Sequence, residues 1–225
     1  GTKKAGHTGT LDPDVEGVLP VCIGRATKIA EYLQDAGKTY EGEATIGIST
    51  TTEDASGDII EKKEISRPIS REEILAALAS FTGHITQIPP MFSAVKVNGR
   101  RLYEYARAGI EVERPKRNVQ IYSLELLDGR EYFEGPVVSF RFRASCSKGT
   151  YIRTLAVMIG EKLGYPAHMS NLTRIEAGGF SKEQCATFQE IEKAAETGDR
   201  ESLLYPLEAG IRHLPKWEIS DTLAE

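Results

Sequence analysis

The sequence predicts an α+β fold built on a mixed or antiparallel sheet. Strand-type alternation recurs at residues 38–48, 117–127 and 137–146, and helical spacing recurs between these segments. Their order lacks the regular strand–helix–strand alternation of a parallel α/β sheet.

Taken in order, the run VLPVCIG leads into RATKIAEYLQDAG, where Ala26, Ile29, Ala30 and Leu33 share a helix face and Gly37 supplies a stop. Lys38 to Ile48 alternates Tyr40, Gly42, Ala44, Ile46 and Ile48 with polar residues, as a strand with one buried face does. TTTEDASGDII is a polar loop. Ser70 to Phe81 opens with a Ser N-cap and a Glu three residues on, which predicts a helix. Pro89-Pro90 makes an extended stretch, Asn98-Gly99 a hairpin turn, and Leu102 to Ala108 a short helix. Strands are predicted at Arg117 to Leu127 and Val137 to Cys146, the second with Val138, Phe140, Phe142 and Ala144 on one face. SKGTYIRTLAVMIGEKLG is a loop entering a helix that ends at Gly164, and Phe188 to Glu196 is a further helix.

Composition bounds the function. The chain has 225 residues, 40% of them hydrophobic and 27% charged, with a net charge of -5, which excludes a disordered, collagen-like or coiled-coil chain. No apolar run approaches the ~18 residues of a membrane span. The first residues, GTKKAGHTGT, do not read as a signal peptide, so the expected location is cytoplasmic. Cys22, Cys146 and Cys185 lack the spacing of a disulfide framework or zinc site and are expected to be buried or half-buried.

Net acidity argues against a nucleic-acid partner until the charge is divided. Residues 95–117 carry seven basic and three acidic side chains, and residues 141–176 carry six and two, so each segment is +4. These would suit a polyanion on one face of an acidic protein. On charge alone an ordinary scattered surface is the favoured reading.

The most informative window is KAGHTGTLDPDVEGVLPVCIGRATK. Pro13 keeps Asp12 out of the helical region, so the carboxylate sits on a fixed turn. Taken alone, such an Asp caps its own backbone in an Asx turn. The glycines match neither GxxxxGK[ST] nor GxGxxG, so nucleotide-binding readings fail. A lone Arg153 would be a surface residue, and a lone Tyr40 would be core.

The run GHTGTLDPDVEGVLPVCIGRATK resembles the catalytic motif of the bacterial tRNA pseudouridine-55 synthases, the TruB family. KTYEGEATIG, TTTEDASG, IPPMFSAVKVNGRRLYEYARAG, CSKGTYIRTLA, AHMSNLTRIEAGGF and LLYPLEAGIRHLP follow in the family's order, so the resemblance covers nearly the whole chain. It implies the pseudouridine-synthase fold: a mixed, mostly antiparallel sheet flanked by helices and loops, with the active-site cleft across the sheet. The implied reaction breaks the C1'–N1 bond of a uridine in the tRNA T-arm loop and rejoins the base through C5, with no cofactor and no metal.

By the same resemblance Asp12 is the catalytic carboxylate. Arg153 is its partner, since an adjacent guanidinium favours the ionised form and fixes its orientation. Tyr40 is the family's active-site tyrosine, counted with Asp12 and Arg153 as catalytic and placed to stack on the target base and to move a proton. His7 fills the space left by the flipped nucleotide, offsetting part of the few kcal/mol that flipping costs. Tyr151 and Leu172 line the uracil pocket. Lys3, Lys4, Arg100, Arg101, Lys148 and Arg174 are candidates for tRNA phosphate contacts, and Asp54 has a supporting role. The implied partner is the T-arm stem-loop, read as a shape. No protein partner or membrane is implied, and the chain is expected to be a monomer. The rival readings are a non-catalytic RNA-binding module or tRNA-folding chaperone, and a guide-RNA-dependent synthase subunit.

Family members carry a strand and a helix ahead of KKxGHTGTLDP, and neither is in this sequence. The expected organisation is a catalytic domain over residues 1–213, without those first elements, and the start of a PUA RNA-binding domain over 214–225. A proteolysed or partly disordered form of a longer chain is the corresponding expectation.

Overall fold

The computed structural model describes residues 2–217. Its centre is a seven-stranded sheet. Five strands form most of it: β1 (Lys38–Ile46), β2 (Gly83–Gln87), β3 (Arg117–Leu126), β4 (Val138–Cys146) and β5 (Ala167–Ala177). The spatial order is Phe180–Ser181, β5, β1, β4, β3, β2, and every pairing along it is antiparallel. Glu16–Gly17 adds to β5 in parallel, which makes the sheet mixed, as predicted. The helices are α1 (Ala30–Asp35), α2 (Arg71–Ala79), α3 (Leu102–Arg107), α4 (Ile152–Leu163) and α5 (Phe188–Thr197).

One face of the sheet is the core. Ala44, Ile46, Phe140, Phe142, Ala144, Met169 and Leu172 lie there under Leu155, Ala156 and Ile159 of α4 and Ile74 and Leu78 of α2. The opposite face is polar. Arg141 and Arg143 both pair with Glu41, at 3.1 and 2.7 Å, and Thr39 donates to Glu176. Glu41 is half-buried and its arginine partners more open, and partly solvated pairs of this kind contribute little beside the apolar burial on the helix face that holds the sheet together.

Most predicted elements form where the pattern puts them. Ser70 caps α2 through a reciprocal box with Glu73, Asn98 and Gly99 both take positive φ in the hairpin turn, and Gly164 ends α4 in the left-handed region. The first helix differs: its opening turns are 3-10 over Gly24–Ile29 before α1 begins. The strand predicted to run to Ile48 breaks at Gly47, whose φ of 109° turns the chain into a separate hairpin of Ile48–Thr50 with Ile59–Lys62.

Two strands carried no usable pattern. β5 lies beside β1 in the sheet, yet its buried positions include His168 and Arg174 and two register shifts interrupt its alternation. β2 is only GHITQ. Cys22 and Cys146 are buried as expected, but Cys185 is exposed, after a short 3-10 turn at the surface. Among the described residues, no helix is long and apolar enough to cross a membrane. The region predicted to start a further domain falls mostly on 218–225, outside the described residues.

Candidate active site

The loop from Thr8 to Pro20 is closed at its base, where the Thr8 amide and hydroxyl both donate to the Pro20 carbonyl at 3.2 and 3.3 Å. Within it Asp12 to Val15 is a β-turn, with the Val15 amide donating to the Asp12 carbonyl at 3.0 Å and Pro13 at the second position. The backbone closes this turn itself, and the carboxylate faces Arg153. The Asx-turn reading of an isolated Asp-Pro therefore does not apply.

Arg153 is the second residue of α4. Its Nε lies 2.9 Å from Asp12 Oδ2 and its Nη2 donates to Asp12 Oδ1 at 3.2 Å, a side-on bidentate pair. The Arg153 side chain is 5% exposed and that of Asp12 42%, so the carboxylate is open to a substrate while its partner is enclosed. The rest of the guanidinium is anchored: Nη1 donates to the Thr52 carbonyl at 3.0 Å and Nη2 to the Phe92 carbonyl at 2.9 Å.

Asp54 Oδ2 lies 3.6 Å from Nη1 of the same arginine. Its Oδ1 accepts from the Thr52 hydroxyl, the Ser56 amide and the Ser56 hydroxyl at 2.6, 3.0 and 2.6 Å. Burial alone would push this carboxyl up, but those hydrogen bonds and the Arg153 charge outweigh it and hold Asp54 below its ordinary 3.8.

Tyr40 lies on β1 between Ala144 of β4 and Arg174 of β5. Burial raises its phenol, against the lowering effect of Arg174, and Asp12 is among the charges acting on it. Tyr151 immediately precedes α4, and buried Gln87 locks its backbone from both sides: Nε2 donates to the Tyr151 carbonyl at 3.1 Å and Oε1 accepts its amide at 3.0 Å. Burial also raises the Tyr151 phenol, and Asp12 acts on it too. Leu172 is buried opposite Gly42, where a Cβ would stand 2.8 Å from Phe142 and 3.3 Å from Leu172. Glycine at 42 is what lets those two side chains flank the floor beside Tyr40.

His7 is exposed, and its Nδ1 accepts from the Gly9 amide at 3.3 Å. Lys3 and Lys4 are exposed just before it. Arg100 and Arg101 project from the Lys96–Arg101 hairpin, over the rings of Tyr105 and Tyr103 at 5.0 and 5.8 Å. Lys148 is exposed and pairs with Asp35 at 2.5 Å. Among the described residues, no hydrogen bond or ion pair joins these five cations to Asp12 or Arg153.

Arg174 corrects the expectation of a surface phosphate contact. It is 2% exposed, with its guanidinium bonded to backbone carbonyls of the Asp12 loop. Nor is the second basic segment one face: Arg153 and Arg174 are buried, whereas Arg141 and Arg143 pair with Glu41 on the polar side of the sheet.

Glu53 and Gln87 were not singled out by the sequence. Glu53 has a φ of 64°, accepts from the Thr154 hydroxyl at 2.8 Å, and is raised by burial. It sits in a polar loop with nothing in the residue order to distinguish it from a solvated glutamate. Gln87, one polar residue before Ile-Pro-Pro, is equally inconspicuous. Among the described residues, no three of His, Cys, Asp and Glu cluster as metal ligands would.

Residues 1–152 match the model described as "TruB family pseudouridylate synthase (N terminal domain)", and residues 153–212 match "tRNA pseudouridylate synthase B C-terminal domain". The boundary between them falls inside α4, and β5 from the second part pairs with β1 from the first, so the two matches meet in one sheet. The chain is 64% identical over its full length to a tRNA pseudouridine synthase B of Geobacillus kaustophilus (strain HTA426), covering 79% of that protein. It is 59% identical over 99% of its length to one of Bacillus thuringiensis (strain Al Hakam), covering 73%. Among solved structures, a Cbf5-Nop10-Gar1 complex superposes with a TM-score of 0.69 at 32% identity over 95% of this chain and 54% of that one. An H/ACA RNP bound to a substrate RNA containing 2'-deoxyuridine gives 0.65 at 28% identity, over 95% and 53%. The chain thus spans about half the length of these structural relatives.

Proposed function

The chain belongs to the TruB family of pseudouridylate synthases, and from that premise we propose that it isomerises uridine 55 in the T-arm loop of tRNA with Asp12 as its catalytic carboxylate. The observation that carries this reading is the pairing of a half-open carboxylate with an enclosed guanidinium whose other donors are fixed to backbone. An ordinary surface ion pair has no such asymmetry, and a non-catalytic RNA-binding module has no use for it.

In the proposed reaction the target uridine leaves the loop stack and enters beside Tyr40, Tyr151 and Leu172. Tyr40, whose phenol is raised by burial above its ordinary 10, offers a ring for stacking and a hydroxyl to move a proton. The Asp12 carboxylate, oriented by Arg153, attacks the nucleoside as nucleophile, and the bond it makes is broken again as C5 joins C1', which regenerates the carboxylate. The C1'–N1 bond breaks, the base turns, C5 bonds to C1', and the proton on C5 is lost as N1 gains one. Reactants and product are isomers, so the step needs no external oxidant or reductant.

His7, at the mouth of the loop, fills the gap left by the flipped base. Lys3, Lys4, Arg100, Arg101 and Lys148 supply phosphate contacts around the opening, all of them exposed. We assign residues 1–213 to the catalytic domain and 214–225 to the start of an RNA-binding one. The chain acts in the cytoplasm as a monomer on the T-arm without a protein partner.

The reading is tested with a tRNA transcript labelled with 5-tritiated uridine, followed by mapping of the product. Tritium release with pseudouridine at position 55 is expected. Binding without release, or modification at another position alone, would contradict it.

A further inference from the structure

Arg174 is a buried arginine outside the catalytic group just described, and it is one of the largest fully enclosed side chains in the protein. Among the described residues no carboxylate lies within 4.0 Å of it, so its charge is not there to complete an ion pair. Its donors go instead to two carbonyls that flank Asp12: Nε donates to Val18 at 2.7 Å and Nη2 to Gly9 at 3.1 Å. The backbone at Arg174 joins in. The Val18 amide donates to the Arg174 carbonyl at 2.8 Å, and Gly17 pairs with Arg174 in parallel register. Gly17 lies so close that a Cβ would stand 2.1 Å from that carbonyl oxygen, at a φ of 117°. Across the sheet the same residue is the register partner of Tyr40.

We propose that Arg174 is a positioning residue for the reaction: its guanidinium clasps both flanks of the loop that carries Asp12 and fixes the carboxylate relative to β5 and Tyr40. This rests on the catalytic reading of Asp12. A guanidinium is a rigid planar fork able to hold two carbonyls in fixed relation, which an ammonium on a flexible stem does not do. Gly9 and Val18 lie three residues before and six after Asp12, so slack in either bond shifts the reacting group itself. A displacement of about 1 Å at a catalytic group costs on the order of 100-fold in rate.

The test is Arg174→Lys, which keeps the charge and most of the stem, together with Arg174→Ala. Measured are the single-turnover rate at saturating tRNA, the Kd for tRNA, and the thermal midpoint, beside wild type and Asp12→Asn. The clasp predicts a fall of about 100-fold in the saturated rate of Arg174→Lys with tRNA Kd unchanged. It also predicts partial recovery of Arg174→Ala on adding guanidinium ion. A wild-type saturated rate with weakened binding would make Arg174 a phosphate contact and overturn the proposal. Loss of cooperative unfolding in both variants without rescue by guanidinium would assign the residue to folding and overturn it as well. An active wild type with an equally active Arg174→Lys sinks this inference alone, whereas a wild type that releases no tritium sinks the catalytic reading with it.

Discussion

Of the five N–H donors on the Arg153 guanidinium, two meet Asp12, one meets Thr52 and one meets Phe92, with Asp54 beside the remaining one. Behind it the loop is kept in shape by Glu53, whose positive φ turns the chain between the Thr52 carbonyl and the Asp54 carboxylate. Burial raises the Glu53 carboxyl above its ordinary 4.5 despite the Thr154 hydrogen bond and the nearby Arg114. The folded protein therefore binds this proton more tightly than the unfolded chain. The stability linked to it is complete below 4.5 and is lost as the pH rises through the higher folded value. Asp54 runs the other way, with stability present above 3.8 and lost as the pH falls. Glu53→Gln should flatten the decline of the thermal midpoint above the ordinary carboxyl range; an unchanged slope in thermal melts across that range would refute this. The Asp12–Arg153 pair was legible only through the resemblance of the motifs around each residue to those of the TruB family; read alone, they suggested an Asx turn and a surface arginine. Arg174 was misread, because a cation in a basic segment looks the same in one dimension whether it faces phosphate or a carbonyl. Glu53 had no signal at all, since its role comes from burial that only the packed loop creates.

At the scale of elements, α4 sets the arginine and β5 sets Leu172 and Arg174, so the approach of this helix to this strand governs the site. Gly160 makes it possible: a Cβ there would lie 2.2 Å from Ala167 Cβ and 3.0 Å from the Tyr165 carbonyl. Alanine is the better helix former by about 1 kcal/mol, yet overpacking a close contact costs roughly 1–3 kcal/mol. Gly160→Ala should therefore lower the urea midpoint, while Gly129→Ala, with nothing within 4 Å of the new methyl, should leave it unchanged. A stabilised Gly160→Ala would mean that the helix can move off the strand. The helix was readable from its apolar spacing and terminal Gly164. β5 was not, because buried polar residues and two bulges replace alternation where the strand serves the site.

Across the whole molecule, division of labour between the two sheet faces explains how an acidic chain serves an RNA reaction. One face is a polar surface with paired charges. The other packs helices and, at the end nearest Lys38, Tyr40 and Arg174, leaves the sheet edge to the Asp12 loop. Periodicity in the sequence carried three of the sheet's strands, the five helices and the α+β class, but not β2 or β5. It did not carry how the loop docks, because docking depends on parallel pairing of Glu16–Gly17 with Thr173–Arg174, 157 residues later. Everything in this arrangement converges on one carboxylate. The most direct measurement is single-turnover conversion of tRNA by Asp12→Asn, which preserves the side chain's shape and removes its charge. The structure predicts tRNA binding close to wild type and a rate lower by about 10⁴-fold or more, as when an enzyme loses a group acting at the reacting centre. Turnover near the wild-type rate would contradict Asp12 as the catalytic group.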